Sequence, residues 1–494
     1  MALPSPRTLS GVPAMALLVL FFASLMLTLT FACRTAEGMA AGVYPGEQWK
    51  TAAAPEQHGW SSGKLAKARE YSKQIGSAAV MIVDDGVVVD AWGDITREYE
   101  CHSMRKSLIS ALIGIHVDEG NIDLSKTMED LSIDDWEPSL APDEKEATVG
   151  DLIRARSGIY HPALGESGLM KAVRPKRHSH APGTFWYYNN WDFNALGTIF
   201  EQETGTRIFE EFDRRIAGPL QMENFQVGDC RYNTWENYAE GRTSMHRYYL
   251  FRMSARDLAR FGLLFLREGK WRDRQIISAG WVRESTTGHS RRGVDSGYGY
   301  MWWTGIKSGL FPNVEVKEHS YFASGSRGHK VIVLPYRKLV VVHRVNTDDP
   351  SPSVDDQRIG RLLWLILDAA GETDIGDNWS LEAAKGRRLA SDGLKEMFKG
   401  SIIRVKGTTG PGIIEGADRP LAISCFPDGT ISWSVSGELL DTGKWWIEGD
   451  QFCSEGERIT GGKKDCVFLV ADGSTIKWFD LEGMLAGKGV YSRE

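Results

Sequence analysis

The chain has 494 residues, 42% hydrophobic and 25% charged, which is apolar material for two or three globular domains and excludes a disordered chain. Its formal net charge is -7 and it carries no long Lys/Arg run, which argues against nucleic acid as the main partner. The short basic cluster at Arg174, Lys176 and Arg177 reads as solvated loop charge.

At the N-terminus, Arg7 precedes an uncharged stretch from Gly11 to Cys33 that includes Leu17–Phe22 and Leu25–Leu27. This is the pattern of a signal sequence or an uncleaved membrane anchor over residues 1–45. Ala36, Ala40 and Ala41 offer cleavage sites, whereas Thr30 and Phe31 depart from the residues that favour lipidation of Cys33. Either route predicts export, with the protein periplasmic or membrane-anchored and facing the periplasm. Export permits disulfides. Cys453 and Cys466 flank a charged, Gly-containing segment as two hairpin strands would, and Cys101 with Cys230 is a second candidate pair, leaving Cys425 single.

The first predicted elements are a helix over Trp60–Ile75, a buried strand Ser77–Val83, a turn at Asp84–Gly86 and a returning strand Val87–Trp92. Leu108, Ile109, Leu112, Ile113 and Ile115 predict an apolar helix ending near Gly120, followed by helices and loops to about Gly269. Strand signals resume at Tyr298–Trp303, Lys330–Leu334 and Leu339–Val345, and a helix Ile359–Ala370 follows. Strands at both ends with helices between them describe an α+β domain over residues 50–375 whose sheet joins distant parts of the chain. Residues 376–399 read as a polar linker. Residues 400–494, with short alternating strands such as Ala422–Cys425, Thr430–Ser434 and Cys466–Val470, read as a separate small all-β domain in which Trp433, Trp445, Trp446 and Trp478 form a core, the alternative being a surface for sugar or peptide.

Three Ser-x-x-Lys spacings occur: Ser61/Lys64, Ser103/Lys106 and Ser474/Lys477. On a helix, positions i and i+3 share a face, so an amine there can take the proton of a nucleophilic hydroxyl. Ser61 reads as a helix cap, and Ser474/Lys477 lies in a strand pattern. Ser103/Lys106, at the mouth of an apolar helix just after a hairpin, has the context that chemistry needs, although taken singly each residue reads as a cap or a surface lysine.

Ser103-x-x-Lys106, followed by Pro182-Gly183 and by Tyr188-x-Asn190, resembles the serine β-lactamase and penicillin-binding protein superfamily. More narrowly, the chain is similar to class C β-lactamase-like esterases and 6-aminohexanoate-dimer hydrolases over about residues 60–371, with Arg252–Gly262 and Gly269–Trp271 adding to the likeness. The resemblance implies an antiparallel sheet flanked by helices with a helical subdomain. It also implies that Ser103 is the acyl-accepting nucleophile, that Lys106 takes or shares its proton, that Tyr188 is the general base and acid toward the leaving group, and that Asn190 orients the substrate or the lysine.

The third family element is a cation, then Ser or Thr, then Gly on a sheet strand; here it reads Ala323-Ser324-Gly325, so the cation is missing. By position, Ser324 and Gly325 border the substrate, and Ser326 N–H joins that of Ser103 in an oxyanion hole. His246, Arg327 and His329 are candidate pocket residues, while His161, His178 and His180 read as loop or surface. No metal-ligand spacing is present and no cofactor is implied. The expected substrate is a small-molecule ester or amide, or a peptide-like compound, with a non-catalytic cell-envelope receptor of the same fold as the alternative.

Overall fold

The computed structural model describes residues 42–493 apart from 235–242, 293–295, 306–308, 312–313, 350–352, 373–385, 399–401, 410–420, 436–437, 458, 461 and 480–484. Most of the N-terminal segment expected as a signal or anchor lies outside the described residues, among which no helix is long and apolar enough to cross a membrane.

The first helix, α1 (Ser62–Gln74), starts where Ser61 accepts a hydrogen bond from Lys64 N–H. Strands β1 (Ala79–Asp84) and β2 (Val87–Gly93) follow, then the central helix α2 (Arg105–Asp118). Helices α3 (Asn190–Thr204) and α4 (Ala255–Leu266) belong to the helical region. The chain then adds β3 (Ser290–Arg292), β4 (Ser296–Tyr298), β5 (Trp303–Gly305), β6 (Tyr321–Gly325), β7 (His329–Leu334), β8 (Leu339–Arg344) and α5 (Asp356–Ala369). The run expected as one strand, Tyr298–Trp303, is instead a turn joining β4 to β5, with Met301 at φ 61°.

The sheet runs β2-β1-β8-β7-β6-β5-β4-β3, antiparallel throughout. Pairing of Ala79–Asp84 with Arg344–Leu339 closes the domain by joining its first strand to its last. Side chains alternate across the sheet, so that Ala79, Met81 and Val83 enter one core with α2 and α4, while Val80 and Ile82 enter another with α1 and α5. Covering both faces is why these strands read as unbroken apolar runs.

Every residue from Arg105 to His116 is buried, which makes α2 the axis of the domain. Its hydroxyls fix its register against the β4–β5 turn, with Ser107 Oγ donating to Met301 O at 2.7 Å and Ser110 Oγ to Tyr300 O at 2.8 Å.

The C-terminal part is a closed eight-stranded barrel. Its strands from Ile403–Thr409 to Leu485–Arg493 pair in chain order, and the last pairs with the first. Trp433 is buried inside, Trp445 and Trp478 pack against the core, and Trp446 donates to Glu448 at the surface. The linker expected at 376–399 is partly structured. Arg387–Arg388 pairs with the strand Asp465–Asp472, and the helix Ser391–Phe398 sets Leu394 and Phe398 into the barrel core, because 394, 397 and 398 share one helical face.

Cys453 and Cys466 form a cross-strand disulfide. Cys101 and Cys230 do not bridge; both are free, as is Cys425. The basic cluster is also less solvated than expected, since Arg174 pairs with the nearly buried Glu166 and Arg177 with the buried Glu144, both at 2.6 Å. Burial alone would raise the Glu144 carboxyl, but His161 and Arg177 hold it down to about 2. His161 is accordingly buried, a correction to its reading as a loop or surface residue.

Candidate active site

The approach to Ser103 is held from both sides. Tyr99–Glu100 pairs with Arg252–Met253, and Cys101 N–H donates to Phe251 O at 2.8 Å. His102 then adopts φ 47°, a left-handed conformation that costs a non-glycine residue about 1–2 kcal/mol. Its ring lies 2.8 Å from Thr347 Oγ1 and 5.2 Å from the ring of His329, which pins the turn to the sheet. Ser103 follows in the tight turn His102–Met104, half-buried, with α2 beginning at Arg105.

Lys106 Nζ lies 2.8 Å from Ser103 Oγ and 2.7 Å from Tyr188 OH. The lysine is 1% exposed, with its nitrogen 4.5 Å from the centre of the Tyr188 ring and 4.7 Å from that of Phe193. Burial on α2, and secondarily the charge of Arg105, hold this amine well below the usual ammonium range. Burial pushes the Tyr188 phenol upward. The amine thus sits between two hydroxyls in surroundings that disfavour its charged form, and a neutral amine there can accept from one hydroxyl while donating to the other.

The other two spacings are spent elsewhere. Ser61 caps α1 while Lys64 Nζ binds Asp368 at 2.7 Å. Ser474 and Lys477 lie at the start of and along a barrel strand, Thr475–Phe479, where i and i+3 point to opposite faces.

Tyr188 is placed by its neighbour. Asn189 caps α3 by accepting from Trp191 N–H, and its amide donates to Ile159 O at 2.6 Å and to Asp192 Oδ1 at 2.8 Å. The Tyr188 ring stacks on Trp303 at 5.4 Å between centres and 22°. The Asn190 amide nitrogen donates to Gly165 O at 2.7 Å, and its Oδ1 is buried without a partner among the described residues.

The strand β6 explains the third element. Ala323 faces the core shared with α2, whereas Ser324 points to the opposite face, where its Oγ accepts from Lys330 Nζ at 2.7 Å. Lys330 also pairs with Asp356 on α5 at 2.7 Å and lies against Phe311 and Phe322 of that rear core. The cation nearest in register thus serves the wrong face, and Ser324 is removed from the substrate side by strand alternation. Gly325 returns to the front. A side chain there would meet Cys101 O at 2.6 Å and Met104 Cγ at 3.4 Å, so the strand end abuts the residues around Ser103 and brings the exposed Ser326 to that turn.

The remaining pocket candidates separate. Arg327, at φ 67°, donates to Thr347 O and Asp349 O. His329 is buried beside His102 and supports the turn. His246 is 2% exposed against Trp191, with Nδ1 3.0 Å from Thr198 Oγ1, and among the described residues it touches none of Ser103, Lys106 and Tyr188. Sequence reasoning missed Arg105, His102, Asn189 and Trp303; the first two adjoin Ser103 and Lys106, while nothing local marks Trp303.

Solved structures of similar fold include an octameric penicillin-binding protein homologue from Pyrococcus abyssi (17% identity, TM-score 0.48, covering 87% of this chain and 99% of that one). Others are a beta-lactamase from Mycobacterium bovis (18%, 0.43, 62% and 98%) and a family VIII carboxylesterase (17%, 0.46, 63% and 99%). A family model described as Beta-lactamase matches residues 62–363, more than half of the chain and the whole span from α1 through most of α5, so the chain belongs to the beta-lactamase family.

Proposed function

We propose that the chain is a serine hydrolase that cleaves an ester or amide through an acyl-enzyme on Ser103. The observation that carries this reading is the convergence of Ser103 Oγ and Tyr188 OH on one buried amine, at 2.8 and 2.7 Å. Ser103 Oγ attacks the substrate carbonyl carbon as its proton passes to Lys106 Nζ, and the oxyanion is held by the N–H groups of Ser103 and Ser326. The tetrahedral adduct collapses as the Tyr188 phenol protonates the leaving oxygen or nitrogen, and Lys106 returns a proton to the phenolate. Water then releases the acyl group by the same steps in reverse. Burial keeps the Tyr188 phenol protonated at rest, so it enters acylation carrying the proton that the leaving group needs and acts as a base only after passing that proton on.

Ala323 on the front and Lys330 on the rear leave the strand without a cation for a substrate carboxylate, so the favoured substrates are esters and amides lacking one, with β-lactams turned over poorly. The apolar run before Cys33 supports an exported, periplasm-facing location. A fluorophosphonate probe should add its mass to the purified protein and not to Ser103→Ala. Absence of labelling in the wild type would favour the non-catalytic receptor, and rapid turnover of a cephalosporin reporter would overturn the substrate preference.

A further inference from the structure

Arg105 is 0% exposed, and among the described residues no carboxylate lies within ion-pair distance of it. Nη2 donates to Asn194 Oδ1 at 2.7 Å, the hydroxyls of Tyr248 and Tyr249 lie beside the guanidinium, and Nε and Nη1 are buried without a close partner among the described residues. The guanidinium carbon lies 4.1 Å from the ring centres of both Tyr248 and Tyr249. Arg260, equally buried, shows the usual solution: it pairs with Glu223 at 2.9 Å and donates to Leu220 O at 3.0 Å. A guanidinium stays charged in a protein, and a buried charge without a counter-ion is among the costliest groups a fold can hold. A methionine would fill the same space at lower cost, so the charge itself calls for a use.

We propose that Arg105 is a positioning residue of the Ser103 site, a permanent charge on α2 whose field adds to burial in holding Lys106 in its amine form, with Asn194, Tyr248 and Tyr249 as its cradle. The inference rests on the reading of Lys106 as the proton acceptor of Ser103. The carboxylate that acts on Tyr248, that of Glu100 on the strand Tyr99–Glu100, pairs with Arg231 at 3.1 Å. Facing Lys106 and Arg105 are Ser103 on the same element, Tyr188 before α3, Tyr248 and Tyr249 on the strand Tyr248–Leu250, Tyr298 on β4 and Asp192 on α3; burial drives every one of these phenols, and the carboxyl, toward the neutral form. His102 before α2 and His329 on β7 are held neutral by burial, and Arg344 on β8 adds positive charge, as does Lys330 on the rear face, where Asp356 neutralises it. The charge that Ala323 lacks on the strand is thereby supplied from the helix, and it acts on the amine, not on the substrate.

The test is the pH dependence of fluorophosphonate inactivation and of p-nitrophenyl ester hydrolysis in the full chain, together with the Cε NMR titration of Lys106, assigned by its loss in Lys106→Met. Removing the charge in Arg105→Met should move the acidic limb and the Lys106 titration upward by about 1 pH unit or more, as expected for two charges within about 10 Å at an effective dielectric constant near 20. The rate above the new limb should return to within a few-fold of wild type, and Arg105→Lys, which keeps the charge, should leave the limb in place. If Arg105→Met does not fold, Asn194→Asp, which sets a carboxylate against the guanidinium, should give the same upward shift. A uniform loss of rate at every pH, with limb and Lys106 titration unmoved in Arg105→Met or Asn194→Asp, would overturn the proposal. A wild type that takes no probe while the Lys106 titration still shifts in the variants would sink the reading of Ser103 and sustain that of Arg105.

Discussion

Gly325→Ala tests whether the oxyanion geometry depends on close approach of strand β6. Gly325 has φ -114° and ψ 147°, extended backbone open to any residue, so its requirement is for room. An added Cβ would stand 2.6 Å from Cys101 O, 3.0 Å from His329 Cβ and 3.4 Å from Met104 Cγ. Comfortable contacts lie at about 3.5–4.0 Å, so the strand end must retreat by roughly 1 Å from the Ser103 turn. The nearest obstacle is a backbone oxygen two residues before the nucleophile, which cannot swing aside as a side-chain tip would. Overpacking of this kind costs about 1–3 kcal/mol of stability, and a displacement near 1 Å between reacting groups costs about 100-fold in rate. Losing one oxyanion donor outright costs about 100- to 1,000-fold. The expected outcome is a fall of about 100-fold in kcat/KM for a p-nitrophenyl ester, with Tm lowered by only a few degrees. Gly63→Ala in α1, where the nearest atom would be Ser61 Oγ at 4.0 Å, serves as the control and should leave the rate unchanged. Wild-type acylation in Gly325→Ala would refute the placement of Ser326 N–H beside Ser103.

Two further perturbations probe the phenol and the buried histidine. Tyr188→Phe keeps the stacking on Trp303 and the face over Lys106 but removes the hydroxyl, so kcat/KM should drop by about 100- to 10,000-fold with Tm nearly unchanged; a rate within three-fold of wild type would remove Tyr188 from proton transfer. His343, 1% exposed and bonded to Ser77 Oγ and Gly328 O, is held down to about 4 by burial, against 6.5 when solvated. The unfolded chain therefore binds the extra proton between those values, and stability is lost as pH falls from about 6.5 to about 4, by about 3 kcal/mol for this group. Urea unfolding across that range should show the loss, and His343→Gln should flatten it; an unchanged slope in the variant would assign the acid sensitivity to other groups.

The parts of this fold visible in the sequence are those where local pattern and tertiary setting agree. The doubly covered strands β1, β7 and β8 read as apolar runs, Ser61 as a cap, and Ser103-x-x-Lys106 as one helical face. Closure of the barrel was not legible, since it depends on pairing of Ile403–Thr409 with Leu485–Arg493, about eighty positions apart, which no local pattern records. Tyr188-x-Asn190 gives a spacing without the direction of the side chains; the intervening Asn189 caps the helix and the Asn190 amide donates to Gly165 O, a contact the spacing does not record. The same limit governs the cation.

In the sequence Lys330 lies six residues beyond Ser324, close to the charge missing at 323. The β6–β7 register pairs the two residues directly and fixes both on the α5 side, where Asp356 neutralises the lysine. Strand alternation sends 321, 323 and 325 to the α2 side of β6; 321 is a buried tyrosine, and a side chain at 325 would meet Cys101 O at 2.6 Å. With alanine at 323, β6 brings no cation to Lys106, and on the lysine's own helix the buried Arg105 has no carboxylate within ion-pair distance among the described residues.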